Sequence, residues 1–494
     1  MSELLNIWRA RPVRSFVVLA GCLTLLRIAV LAFSNADLGP DEAQYWVWSR
    51  DFAFGYFSKP PLIAWAIGLS TSLFGDNEWA ARLTAPLFHL GAASFVFALG
   101  RRLYGDAAGF WAGIGWLVLP GVALSSVLIT TDALLLFFWS AALYFFFRLV
   151  EARGSLMFAA LLGAAVGLGM MSKYAMIYFP LGAGLAFALS ADVRAGLKWR
   201  DLLVAALIAA LMLAPNLAWN AAHDFRTIAH TAANARWNGS LLHPAKFAEF
   251  VVAQAGVFGP VPFLLLTWGA ATLGKRLRQA GPARAVDLTL LAFVAPPLLI
   301  VSLQALISRA HANWAAAAFP AALILVTAWA FRARIGWLAR AGALVHAAAA
   351  ALFLAAFANF ALADAVGAGT ALRGVRGWKE AAAALNGAAR GYDAVLIDDR
   401  EVMGPLIFYA REAPPFMALD SNNRVEHHYE AFMPYDPARA ERVLAVLTDD
   451  SPLALEEKFS SIRRVGEIDA DLGNGHKRRL YLFEASGYRL PQGS

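Results

Sequence analysis

A single cysteine, Cys22, among 494 residues leaves no disulfide framework to read, and its place inside an apolar run says nothing of redox compartment. Charge is scarce: 16% of the residues are charged against 59% hydrophobic, a balance no ordinary soluble protein of this length shows. HxxxH, HExxH and Cys/His sets are missing, which removes the metal cages built on those spacings. No glycine-rich phosphate fingerprint occurs in the tail, so nucleotide binding has no support there. No convincing internal repeat appears either. The surplus of 42 Lys and Arg over 35 Asp and Glu, a net charge of +7, would suggest nucleic acid in a soluble protein. Here the cations stand at the ends of apolar runs, where they set orientation and touch anionic lipid, and no nucleic-acid partner is expected.

What the chain does have is apolar runs of roughly 17 to 25 residues, enough to cross about 30 Å of hydrocarbon. They predict an α-helical polytopic membrane protein with eleven spans, near 15–34, 80–100, 106–122, 131–149, 155–172, 174–191, 201–219, 248–273, 286–307, 312–331 and 336–362. The first has the basic start of a secretory signal (Arg9, Arg11, Arg14). It is long for one and contains Arg27, so it reads as an uncleaved helix. Alternate ends are basic: Arg9/Arg11/Arg14, Arg101/Arg102, Arg148/Arg153, Arg194/Lys198/Arg200, Lys275/Arg276/Arg278/Arg284 and Arg332/Arg334/Arg340. The positive-inside rule puts these ends and the N-terminus in the cytoplasm, and everything after residue 362 outside. Residues 1–364 therefore read as a membrane module. Residues 365–494 read as a small soluble α/β domain, with strands at AVLIDD (394–399), 443–448 and 478–483 alternating with helices, and with a parallel sheet as the suggested arrangement. Asp398 and Asp399 could bind a metal or cap the next helix.

The unusual side chains gather at the opposite, outer ends. Segment 40–65 sets Asp41-Glu42, a run of aromatic rings and Lys59-Pro60-Pro61 in one loop. If 41–50 is helical, Asp41, Tyr45 and Trp48 share a face, as a sugar platform or an interfacial anchor; an N-terminal cap would explain one acid. Lys59 is held by two prolines, to meet a phosphate or to snorkel toward water. Asp132 heads a span after Thr130-Thr131, as a cap or as part of a site. Lys173 falls between two spans with almost no loop, where a buried lysine needs an anion. Arg309 and His311 precede Asn313-Trp314 at the mouth of another span. His223 reads as a ligand, a base or an ordinary loop residue. One carboxylate, several cations and aromatic walls suit group transfer from a lipid-linked phosphate. In that reading Asp41, Glu42 and Asp132 are the candidate catalytic acids, and Lys59, Lys173, Arg309 and His311 face the phosphate. Tyr45, Tyr56, Tyr174, His223, Asn313 and Trp314 contact substrate.

The order of the acid pair, GYFSKPPLIAW, TTDALLL, GLGMMSKYAM, PNLAWNAAHDF and HANWAAAAFPA resembles the bacterial membrane glycosyltransferases of the aminoarabinose transferase and protein mannosyltransferase superfamily, which share the GT-C fold. The likeness covers most of 15–330, and the tail's GWKEAAAAL and AVLIDDRE resemble the soluble domain of its bacterial members. DEAQYW with FGYFSKPP is closer to the lipid A and core galacturonosyltransferases. The resemblance implies inverting transfer of a sugar from a polyprenyl phosphate to an envelope glycan such as lipid A, on the periplasmic side of the inner membrane. It matches Asp41 to the catalytic acid, Asp132 to the second loop acid, and Lys59 and Lys173 to the phosphate-side cations. Aminoarabinose transferases carry an acid before the loop lysine that helps hold a metal; here that position is Ser58, so no metal is expected and no other cofactor is implied. A protein O-mannosyltransferase is the alternative within enzymes. A lipid-linked substrate transporter or flippase is the alternative outside them, but its mid-depth ionisable residues and repeated broken helices are not evident.

Overall fold

The computed structural model describes residues 11–233, 242–272, 282–422 and 424–489; Arg9, Lys275, Arg276 and Arg278 of the expected basic ends lie outside them. By contact the chain forms two compact units, one from residues 1–32, 59–66 and 82–354 and one from 33–58, 67–81 and 355–494.

Helices follow the apolar runs. They are α1 (Pro12–Phe33), α2 (Pro40–Trp48), α3 (Leu62–Phe74), α4 (Thr84–Tyr104), α5 (Asp106–Val118), α6 (Thr131–Ala152), α7 (Leu156–Ser172) and α8 (Tyr178–Leu189). After these come α9 (Trp199–Ala222), α10 (Pro244–Val257), α11 (Pro260–Ala271), α12 (Pro282–Ile307), α13 (Phe319–Arg332) and α14 (Gly336–Ala358). Among the described residues seven helices are long and apolar enough to cross a membrane. The remaining expected spans are shorter or broken, for local reasons. The run at 106–122 stops at Val118, because Leu119 turns extended and Pro120 begins a new short helix. The buried Arg27 guanidinium donates to the Leu117 carbonyl beside that break. The run at 248–273 divides at Gly259, whose φ of 87° no helix accepts.

In the first unit α13 is central: every residue from Phe319 to Ala330 is buried, as expected of a helix apolar all round. Trp139, Phe146, Phe179 and Phe293 interlock around it, with ring centroids 4.8–5.2 Å apart for Trp139–Phe179, Phe146–Phe293 and Phe179–Phe293. Helices α7 and α9 meet through small residues. A Cβ on Gly163 would collide with the Ala205 backbone, and one on Gly167 would stand 3.1 Å from Ala209 Cα. In lipid, where apolar side chains gain little from leaving hydrocarbon, such close backbone approach supplies the packing energy. At the basic ends the buried Asp287 accepts from Tyr104 Oη at 2.6 Å, Trp329 Nε1 at 2.8 Å and Arg332 Nη2 at 2.5 Å. That network joins α4, α12 and α13 and pairs the buried charge of Asp287.

The second unit holds α15 (Trp378–Ala388), β1 (Ala394–Ile397), α16 (Arg400–Tyr409), β2 (Phe416–Ala418), α17 (His428–Phe432), β3 (Arg442–Leu447), β4 (Phe459–Gly473) and β5 (His476–Tyr488). The sheet order is β2-β1-β3-β5-β4. Strand β1 runs parallel to β2 and β3, but β5 is antiparallel to both β3 and β4, so the sheet is mixed rather than parallel. Strand β4, 15 residues long, is a further strand that the sequence pattern does not announce. Its hairpin to β5 turns at Asn474-Gly475, both with positive φ (52° and 76°), as a tight two-residue turn requires. Asp399 accepts from Glu401 N–H and caps α16, the capping role left open for it.

Gly163→Leu is expected to cost about 1–3 kcal/mol by overpacking, read as a lowered melting temperature in detergent. Gly184→Leu, where a Cβ meets nothing within 4 Å, is expected to melt near wild type; equal losses would refute the helix-contact argument.

Candidate functional site

In the first unit the site is built where α6 begins. Thr130 is the N-terminal cap position of α6, but the Asp132 carboxylate is turned away from the helix backbone. Its Oδ1 accepts from Lys173 Nζ and its Oδ2 from Asn313 Nδ2, each at 2.7 Å. Lys173 occupies the extended residue that ends α7 (φ −160°, ψ 133°), which projects its side chain from between two apolar helices. Asn313 comes from the 3-10 turn Ala312–Ala318 that leads into α13. The pair is mostly buried, with 18% of the Lys173 side chain and 10% of the Asp132 side chain exposed. Asp132 is therefore an anchor for Lys173 and Asn313 rather than a free base.

Around this pair the charge is positive. The His311 imidazole is held below its ordinary value by partial burial, then by the charges of Arg309, Lys173 and Lys59. Those three cations thus share its surroundings. The Arg309 Nε is buried without a partner, and its backbone carbonyl accepts from Gln304 Nε2 at 3.1 Å. Trp314 sets its ring edge-on to His311, centroids 5.2 Å apart. A neighbourhood of three cations and one neutral imidazole is a seat for a doubly charged anion.

Tyr174 and His223 do other work. The Tyr174 hydroxyl donates to Asn216 Oδ1 at 2.8 Å and accepts from Asn220 Nδ2 at 3.3 Å, so it ties the end of α7 to α9. His223 stacks on Trp219 at 4.1 Å, with Nδ1 2.8 Å from the Trp219 carbonyl.

Asp41, Glu42, Tyr45 and Tyr56 belong to the second unit. Glu42 is buried, and its Oε2 accepts the Gly39 N–H at 2.9 Å, a contact that supports the start of α2. The Asp41 side chain is 64% exposed on α2 and forms an ion pair with Arg400 Nη1 at 3.2 Å. Tyr45, Trp48 and Tyr56 pack together as a buried aromatic cluster. Tyr45 lies 5.3 Å from Trp48, and Tyr56 stacks on Trp48 at 5.0 Å with rings 3° from parallel. Burial pushes the Tyr56 phenol up to about 12, and it donates to the Asp51 carbonyl at 2.7 Å.

Two contributors were not foreseen. Arg400, at the start of α16, and His428, 5.5 Å from the Trp48 ring, both come from the C-terminal sheet segment. Only the DD-R-E run at 398–401 hinted at Arg400, and it reads equally as a helix start. The GWK motif serves this same unit: Trp378 N–H donates to Asp37 Oδ2 at 2.8 Å, and Lys379 bridges to Glu78 at 2.6 Å. Among the described residues no three His, Cys, Asp or Glu side chains gather as metal ligands.

Lys173→Met is expected to lower stability by about 2–4 kcal/mol, because it strands a mostly buried carboxylate, and to raise the His311 titration midpoint by removing a neighbouring cation. Melting in detergent and the pH dependence of His311 carbethoxylation check the two; an unmoved or lowered midpoint would contradict the shared electrostatic site.

Comparison with known proteins gives partial matches in sequence and a nearly full-length match in fold. Residues 58–219 match the family model described as dolichyl-phosphate-mannose-protein mannosyltransferase. Over 313 residues the chain is 37% identical to the lipid A galacturonosyltransferase RgtD of Rhizobium johnstonii, covering 63% of this chain and 64% of that one. Over 216 residues it is 30% identical to the lipopolysaccharide core galacturonosyltransferase RgtA of the same organism, covering 42% of each. Both alignments span less than two thirds of the relative's length. The fold is that of the crystallised ArnT of Cupriavidus metallidurans bound to undecaprenyl phosphate, with a TM-score of 0.63, 19% identity, and 96% of this chain and 98% of that one covered. The chain is thus similar in sequence, over part of its length, to these glycosyltransferases, and over nearly all of its length it shares the fold of ArnT.

Proposed function

We propose that this protein is an inverting glycosyltransferase that moves a sugar from a polyprenyl phosphate to lipid A, lipopolysaccharide core or another envelope glycan. The reaction takes place at the periplasmic face of the bacterial inner membrane. About eleven spans carry it, with the N-terminus in the cytoplasm and residues 365–494 in the periplasm. The galacturonosyltransferase relatives favour a uronosyl group as the sugar. The observation that carries the reading is the cluster of Lys59, Lys173 and Arg309 around His311 beside a membrane-embedded bundle.

The chemistry follows from charge. A lipid-linked donor keeps its tail in oil and its phosphate at the surface. When an acceptor hydroxyl oxygen attacks the anomeric carbon, the carbon–oxygen bond to phosphate breaks and its electron pair stays on the phosphate. Lys59, Lys173 and Arg309 stabilise that growing charge, and the neutral His311 can donate to a phosphate oxygen. Asp132 holds Lys173 and Asn313 in place for this task. Asp41, exposed and on one face with Tyr45 and Trp48, takes the acceptor's proton as the bond forms. Attack opposite the departing phosphate inverts the anomeric centre. The buried rings of Tyr45, Trp48 and Tyr56 pack beneath Asp41 and hold its helix in place.

Mass spectrometry of lipid A and core from a strain lacking the gene is expected to show one missing sugar, restored by wild type but not by Asp41→Asn at equal membrane level. Purified Asp41→Asn is expected to lose about 10²–10⁴-fold in kcat. Lys59→Ala is expected to raise the donor KM. An active Asp41→Asn would remove that residue from the mechanism, and an unchanged glycan profile in the deletion strain would remove the acceptor class.

A further inference from the structure

The Arg400 guanidinium pairs with the candidate base, and it is loosely held. Nη1 lies 3.2 Å from Asp41 Oδ1 and 3.5 Å from Gln44 Oε1, and Nη2 lies 3.6 Å from Glu401 Oε1. Each contact is single and long; none of them is the two-point fork that guanidinium and carboxylate form at full strength. The side chain is 40% exposed, so its ion pair with Asp41 contributes little to stability, on the order of 0–1 kcal/mol.

Its base, by contrast, is rigid. Asp399 caps the first turn of α16. Gly404 lets α16 approach α2 so closely that an added Cβ would stand 3.2 Å from Gln44 N and 3.3 Å from the Pro40 carbonyl. Trp46 meets Phe408 edge-on at 4.7 Å, and beneath them Tyr429 is wholly buried. A weakly engaged guanidinium on a fixed mount, one hydrogen bond from the proton acceptor, is a recognition group awaiting a ligand.

Whatever sugar Asp41 serves must pass beside Arg400. A neutral hexose offers no partner for a guanidinium there, whereas a uronic acid carries a C6 carboxylate that a guanidinium grips with two parallel hydrogen bonds. We propose that Arg400 is a specificity-determining residue that binds the carboxylate of a uronosyl group on the lipid-linked donor. This deepens the proposed function and rests on its reading of Asp41 as the base. Arg309 serves a different anion, since it stands in the cation cluster around His311 assigned to phosphate. Arg400 exchanges its loose contact with Asp41 for the sugar carboxylate, which frees Asp41 to receive the acceptor proton.

The test compares two synthetic polyprenyl-phosphate donors, galacturonosyl and galactosyl, with the full-length enzyme in nanodiscs and lipid A as acceptor. Wild type is expected to prefer the uronosyl donor in kcat/KM. Arg400→Gln is expected to lower that preference about 100-fold, a part of the roughly 10⁴–10⁵-fold by which a site built for a polar group rejects its absence. Arg400→Lys, charged but without the fork, is expected to fall between them. The ratio of the two donors in one preparation is insensitive to a partly unfolded sample. If wild type transfers the uronosyl group and Arg400→Gln keeps its preference, or loses both donors equally, the inference fails and the proposed function stands. If wild type transfers only the neutral sugar, the uronosyl reading fails and the inference with it.

Discussion

A charge pair between helix ends organises the first unit. Asp132 and Lys173 are neighbours only because α6 and α7 end at one level, and neither side chain could be buried there without the other. The remaining oxygen of Asp132 then fixes Asn313, which draws in the turn carrying His311 and Arg309. From this one contact comes a positive surface at the end of an apolar bundle, which a membrane protein cannot assemble by chance: every unpaired ion in such a bundle is opposed by a large solvation cost. The same rule operates at the basic ends, where Asp287 is surrounded by three donors on three helices.

The second unit solves a different problem. A short helix such as α2, nine residues long, has no stability of its own. It is held by tertiary contacts: its Trp46 against Phe408, its start against Gly404, and the preceding Asp37 under the GWK turn. Asp41 is thereby presented on a firm support while its carboxylate remains open to solvent. The C-terminal sheet segment is thus the mount for the first loop, and it adds Arg400 and His428 to that loop's surroundings.

Much of the fold was legible because its signals are local. Apolar runs longer than a soluble helix needs gave the membrane class, and the β1–α16 step followed from AVLIDD and its helix cap. Strand β4 escaped because its outward positions are charged and its apolar positions few, so no hydrophobic run announces it. The Asn474-Gly475 turn was the available clue. Broken spans were missed for the opposite reason: a hydropathy run continues through Pro120 and Gly259, although the backbone does not. The parallel sheet expected from strand–helix alternation became mixed because the closing hairpin returns β5 antiparallel to β3.

Alone, the chain's letters determined which side chains are available and that the unusual ones gather at the ends of the apolar runs opposite the basic ones, since hydropathy and cation placement act through nearest neighbours and the bilayer. They could not settle partnership. Glu42 proved to be a helix cap, Tyr174 a brace and Asp132 an anchor. Arg400, more than 350 residues after Asp41, came to its side. Each of those outcomes depends on contacts between segments distant in the chain, where packing, burial and the need to pair every charge decide the result.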